Sequence, residues 1–236
     1  MPTMHHYLLT LFICLIALFN PATCNAQSEP LDLHDSSKWK EAIQKFQVAD
    51  SESPPAKNGT LFVGSSSIRR WDLNKYFPEL NPINRGFGGS QLADSVQFME
   101  ILVLKHQPKT VVMYAGDNDL SKGKSPERVF ADFAEFVAIL QKRLPETQLH
   151  YIAVKPSLKR IQLIEKGDRT NRLIQTYCQM HPNLHFVDIA TPMMTTGKPQ
   201  ADLFVEDLLH VNEKGYQMWA EIVKKSLLNA ANSKPE

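Results

Sequence analysis

The chain has 236 residues, 43% of them hydrophobic and 22% charged, and a formal net charge of +1. That composition excludes a disordered chain and is enough for one α/β domain with a sizeable core. The near-neutral balance argues against a nucleic-acid binder, which usually carries a basic excess on one face; the short cluster Lys155, Lys159 and Arg160 reads as solvated surface.

Leu8 to Phe19 form an apolar run too short to cross a bilayer comfortably, followed by small residues ending Thr23-Cys24-Asn25-Ala26. This reads as a signal peptide over 1–26, cut after Ala26, and predicts an exported protein, periplasmic or secreted. Only His5, His6 and the amino terminus precede the run, so an uncleaved anchor and a lipid-bearing Cys24 stand as alternatives. After cleavage no membrane span is expected. Of the three cysteines, Cys14 and Cys24 lie in the leader, which leaves Cys178 with no internal disulfide partner. Its setting in a helical pattern marks it as a packing residue.

Residues 27–58 read as an N-terminal segment with one short helix from Trp39 to Phe46, where Trp39, Ile43 and Phe46 share a face and Pro54-Pro55 closes the segment. From 59 to 232 the pattern alternates. Strands are expected at Thr60–Val63, Pro82–Asn84, Thr110–Tyr114, Leu149–Val154 and Leu184–Val187. Helices are expected at Leu92–His106, Pro126–Arg143, Asp168–Met180 and about Glu213–Ala230. Such alternation predicts a three-layer α/β/α sandwich around a mostly parallel five-stranded sheet. Ligands of these folds bind at the carboxyl ends of the strands, so the residues following each strand carry the argument.

The first strand is followed by Gly64-Ser65-Ser66-Ser67, a serine on a glycine turn that opens a helix. Such a serine suits nucleophilic attack, although serines are also good helix caps. The second strand is followed by Asn84-Arg85-Gly86-Phe87-Gly88-Gly89-Ser90, which exposes backbone N–H groups; Gln91 stands where the dinucleotide fingerprint needs a third glycine. The third strand is followed by Gly116-Asp117-Asn118-Asp119, either a turn or a source of a side-chain amide donor. A calcium loop is excluded because Lys122 and Arg128 occupy its required glycine and glutamate positions. Before the last helix come Asp207 and His210, spaced so that the carboxylate can orient the imidazole toward the first-strand serine. Each motif alone has an ordinary structural reading.

Together and in this order, the four blocks resemble the SGNH (GDSL-like) hydrolases over nearly all of residues 60–228. The Leu61-to-Gly64 stretch and the Asn84-to-Gly89 block look most like the platelet-activating-factor acetylhydrolase-like branch. The resemblance implies a flavodoxin-like α/β sandwich and a serine esterase. Ser66 would be the nucleophile, Asp207 and His210 the rest of the triad, and Ser66, Gly89 and Asn118 the oxyanion donors. One position departs: Ser65 stands where the family usually has the aspartate of Gly-Asp-Ser, a residue that braces the loop. Ser65, Trp71, Phe87 and Leu209 lie near the motifs as candidate pocket residues, with ordinary core packing the equal alternative for Trp71.

The implied chemistry needs no metal and no cofactor. The expected substrate is a small ester: an acetylated or short-acyl carbohydrate, or a lysophospholipid-like lipid. Two other functions fit the same chain, an acetyltransferase acting on cell-wall sugars and a carbohydrate-binding module that keeps the fold. His34, His106, His150, His181 and His185 show no metal-ligand spacing and read as surface or packing residues. Oligomeric state is not encoded in any motif.

Overall fold

The computed structural model describes residues 34–232. The expected leader and its cleavage site lie outside the described residues. From His34 onward the chain forms one compact unit.

Helix α1 (Lys40–Glu52) runs further than the sequence pattern indicates and stops at Ser53, before the proline pair. Its Ile43 is buried in the main core and Phe46 packs against that core, so α1 belongs to the same unit as the sheet. Strand β1 (Thr60–Gly64) leads into the short helices α2 (Ser66–Arg69) and α3 (Leu73–Tyr76). Strand β2 (Ile83–Gly86) is followed by α4 (Leu92–Gln97) and α5 (Met99–Leu102). The single helix expected over 92–106 is thus divided at Phe98 and Val103. Phe98 leaves helical geometry there and sets its ring edge against Phe87 at 6.5 Å, so tertiary packing overrides the local pattern. Strand β3 (Thr110–Tyr114) precedes α6 (Asp117–Ser121) and α7 (Pro126–Arg143). Strand β4 (Gln148–Ile152) precedes α8 (Ile164–Gln179). Strand β5 (Leu184–Val187) is followed by a two-stranded hairpin at Met194–Thr195 and Lys198–Pro199, and then by α9 (Glu213–Asn232).

The five strands are parallel and lie in the order β2-β1-β3-β4-β5. Alternate residues feed opposite faces. Leu61, Val63, Val111 and Met113 join the core built with α1, α4, α5, α7 and α8. Phe62, Val112, Tyr114 and Ile152 join a second core with Ile68, Trp71, Phe77 and, from α9, Trp219 and Val223. Both faces are covered, which is the three-layer α/β/α sandwich. The strand order reverses between β1 and β3, and ligands of doubly wound sheets bind outside the carboxyl ends at such a point. Ser66 follows β1 and Asn118 follows β3. No helix among the described residues is long and apolar enough to cross a membrane.

Candidate active site

Three turns build one wall of the site, and glycines decide their shape. Gly64 has φ 138°, and a Cβ there would lie 1.9 Å from the Tyr114 carbonyl oxygen, so only glycine lets β1 turn sharply against β3. The turn delivers Ser66 to the start of α2, where the first backbone N–H groups lack intrahelical partners. A Cβ on Gly86 would meet the Arg69 backbone nitrogen at 2.2 Å, so β2 also closes tightly on α2. Asn84 reinforces this closure by donating from Nδ2 to the Ile68 carbonyl at 2.9 Å and accepting at Oδ1 from the Gly86 N–H. Gly89 then comes alongside Asn118: a Cβ built on it would lie 3.7 Å from Asn118 Nδ2. Asn118 Nδ2 donates to the Ser90 carbonyl at 3.1 Å, and Asp119 accepts the Leu92 N–H at 3.1 Å, tying the β2 and β3 turns together. Burial pushes the Asp119 carboxyl up to about 6, against the opposing pull of the Lys124 ammonium, 3.1 Å away, and of the Leu92 N–H.

The opposite wall is the loop before α9. His210 Nε2 lies 2.9 Å from Ser66 Oγ, across 144 residues of sequence. His210 Nδ1 meets Asp207 Oδ2 at 2.6 Å, and the His210 and Leu209 backbone N–H groups donate to Asp207 Oδ1 at 2.8 and 2.9 Å. Partial burial opposes ionisation of Asp207. The His210 ring and these two N–H donors outweigh it and hold the carboxyl well below the usual carboxylate range. The loop turns through Leu208, a non-glycine residue at φ 56°. It is closed by the Val205 N–H donating to the His210 carbonyl at 2.9 Å, and that of Leu208 to Val205 at 2.9 Å. Helix α9 is locked to the serine turn by Tyr216, whose hydroxyl donates to the Ser67 carbonyl at 2.8 Å.

The structure therefore brings Ser66, His210 and Asp207 into one hydrogen-bonded chain and sets Gly89 beside Asn118. Ser66 is partly exposed, whereas its neighbours Ser65 and Ser67 are each 1% exposed. The Ser65 hydroxyl has no hydrogen-bond partner, so the residue at the family's aspartate position braces nothing with its side chain. The Ser65 backbone does that work by donating its N–H to the Tyr114 carbonyl at 3.0 Å.

The expected pocket residues divide. Trp71 is 2% exposed and stacks on Tyr216 with centroids 5.4 Å apart; Phe87 is 1% exposed and packs edge-on against Trp39 at 5.6 Å. Both are core residues, because their rings are consumed by aromatic neighbours. Leu209 is half-buried within the histidine loop.

The surface reading of Lys155 and Arg160 is corrected as well. Lys155 is buried, and its ammonium meets Asp117 Oδ2 at 2.8 Å and the Tyr114 hydroxyl at 3.1 Å. Arg160 donates from Nη1 to Asp117 Oδ2 and from Nη2 to Asn118 Oδ1, both at 3.0 Å. Lys159 alone of the cluster is exposed. Burial works against the Asp117 charge, but Lys155 and Arg160 keep its carboxyl below the ordinary value. The sequence signal was present in the acidic residue beside Asn118, but nothing local links it to cations so far along the chain.

Cys178, His150, His185 and His34 are held by packing or by hydrogen bonds. Cys178 is buried, and burial pushes its thiol up to about 12. His150 stacks on His185 at 4.4 Å, and His34 contacts Asp94 at 2.7 Å.

The family model described as GDSL-like lipase/acylhydrolase matches residues 64–218. No curated protein matches the chain. Among solved structures, a Streptococcus pneumonia protein provisionally named as a platelet activating factor is 20% identical. It covers 81% of this chain and 94% of its own, with a TM-score of 0.72. A GDSL-like lipase from Bacteroides thetaiotaomicron is 18% identical, covering 80% and 98%, with a TM-score of 0.67. A carbohydrate esterase family 3 protein from Talaromyces cellulolyticus is 15% identical, covering 77% and 100%, with a TM-score of 0.61. At these identities the structural likeness speaks for the fold, and the family model speaks for the chemistry. The chain belongs to the GDSL-like lipase/acylhydrolase family and is a carboxylic ester hydrolase.

Proposed function

We propose that the protein cleaves small esters through Ser66, His210 and Asp207 by way of an acyl-enzyme. The observation that carries this reading is the continuous contact from Asp207 through His210 to Ser66 Oγ, at 2.6 and 2.9 Å. Neutral His210 accepts the Ser66 proton at Nε2 as Oγ attacks the ester carbonyl carbon. Asp207 holds Nδ1 protonated and favours the imidazolium. The carbonyl oxygen, now negative, is received by the backbone N–H groups of Ser66 and Gly89 and the Asn118 amide. Collapse expels the alcohol, which takes the proton from His210. Water then gives a proton to His210 and attacks the acyl carbon, releasing the acid and restoring Ser66.

The substrate is read as a short-acyl ester of a carbohydrate or of a lysophospholipid-like lipid. The fold neighbours include a carbohydrate esterase and a protein named for platelet activating factor, which span both classes. The apolar run at 8–19 supports action after export, and amino-terminal sequencing of the protein made in cells tests cleavage after Ala26. Hydrolysis of p-nitrophenyl acetate by the wild type and Ser66→Ala tests the core of the proposal. Activity lost in a folded Ser66→Ala protein is the expected result; equal activity in both would assign the nucleophile elsewhere. A series of acyl lengths on sugar and glycerol alcohols then separates the substrate classes.

A further inference from the structure

We propose that Arg160 is a positioning residue for the oxyanion-binding amide of Asn118, and that its guanidinium acts on the substrate carbonyl oxygen only through that amide, by orienting and polarising it. The inference rests on the esterase reading above.

A carboxamide offers an oxygen on one side and an NH2 on the other, and only the second can receive an oxyanion. Asn118 must therefore be held with its oxygen turned away from substrate. Two contacts do this. Arg160 Nη2, which can only donate, lies 3.0 Å from Oδ1. The flipped amide would set donor against donor there. On the other side, the Ser90 carbonyl accepts from Nδ2 at 3.1 Å, which occupies one N–H and leaves the second available.

The Arg160 fork is itself held. Its Nη1 meets Asp117 Oδ2 at 3.0 Å, and Lys155, with a side chain only 1% exposed, meets the same oxygen at 2.8 Å. Lys155 and Asp117 balance one another, so the guanidinium supplies a net positive charge to the cluster. That charge is fixed before reaction and contacts an oxyanion donor directly, the arrangement in which electrostatic stabilisation costs no reorganisation. A planar guanidinium reaches Asp117 and Asn118 with two parallel arms, which a lysine ammonium cannot reproduce. Arg160 also departs from the helical turn around it, at φ −124° and ψ 38°, and its side chain is 18% exposed, open enough for a small cation to replace it.

The test measures kcat, KM and melting temperature for wild type, Arg160→Ala, Arg160→Lys, Asn118→Ala and the double variant of Arg160→Ala with Asn118→Ala, using p-nitrophenyl acetate. Guanidinium chloride at non-denaturing concentration is the rescue probe. Arg160→Ala is expected to lower kcat about 10- to 100-fold with KM nearly unchanged, and added guanidinium to restore part of it. The double variant is expected to be no slower than Asn118→Ala, because Arg160 acts through that amide. Wild-type kcat in Arg160→Ala, multiplying losses in the double variant, or no rescue of a folded Arg160→Ala protein would each overturn the proposal. Should Arg160→Ala fail to fold, Arg160→Lys decides: reduced kcat at wild-type melting temperature supports it, and unchanged kcat refutes it. Wild type no more active than Ser66→Ala would instead be a failure of the esterase reading.

Discussion

The two walls of the site are built on opposite plans. The Ser66 wall is set into the carboxyl edge of the sheet: Gly64, Gly86 and Gly116 sit where strands turn, and the network behind it is buried. The His210 wall is a surface loop in which the Asp207 side chain is 43% exposed and Leu208 is 41% exposed. The first wall gets its geometry from strand register. The second gets it from a few backbone hydrogen bonds and from Tyr216, which anchors the helix behind it. The Ser66 wall is thus braced from behind by a buried network, whereas Asp207 and His210 are held by local bonds in reach of water.

The largest expected effect lies where the walls meet. Ser66→Ala should lower kcat by roughly six orders of magnitude, read from ester hydrolysis with folding checked by melting temperature. Next comes Asp207→Asn. Where the triad acid is buried, its loss costs about 10⁴-fold. Here solvent screens the carboxylate, so the loss should be smaller, and a full 10⁴-fold loss would erase the contrast between the walls. Asn118→Ala, on the wall built into the sheet, should cost about 10²–10³ in kcat. Asp207 stays ionised well below the ordinary carboxylate range, so it should add no step to the acid side of the pH–rate profile. An acid-side step that disappears in Asp207→Asn would contradict that assignment.

Two smaller effects concern stability. Leu208 adopts φ 56° and is 41% exposed. Leu208→Gly should leave stability within about 1 kcal/mol of wild type, since relief of the left-handed backbone offsets the extra freedom of the unfolded glycine. Leu208→Val should be clearly worse, and equal melting temperatures for the two would remove the strain argument. Away from the site, burial and the stacked His185 lower His150 to about 3, and burial and Arg85 lower His106 to about 4. In the unfolded chain both take a proton near 6.5. Their stabilising contribution is complete above about pH 6.5 and is lost as pH falls toward 4 and then 3. The melting temperature should decline through that window, less steeply in His150→Gln. A level melting temperature would refute this.

The contrast between the walls also explains what could be read in advance. Gly64 and Gly86 end β1 and β2, and Gly89 and Asn118 follow shortly after β2 and β3, so local sequence carries the turns, and in β1 and β3 a continuous apolar pattern carries the strands as well. Asp207 and His210 are near neighbours in sequence and betray themselves by spacing. Lys155 and Arg160 do not, because their partner Asp117 is 38 and 43 residues away and pattern alone cannot distinguish a buried cation from a solvated one. The same limit applies to Trp71 and Phe87: nearness to a motif in sequence said nothing of which way their rings faced.

The bond from Tyr216 to the Ser67 carbonyl has a consequence for biogenesis. The serine turn precedes His210 and the helix that steadies its loop by well over half of the described residues. During synthesis the early portion emerges first. On the proposed mechanism, the nascent chain carries a serine with no base until α9 has docked, and any product that stops before residue 210 has the same defect. On that mechanism catalytic competence is a late checkpoint of folding, and the first appearance of ester hydrolysis in a cell-free translation would serve as a clock for docking of α9.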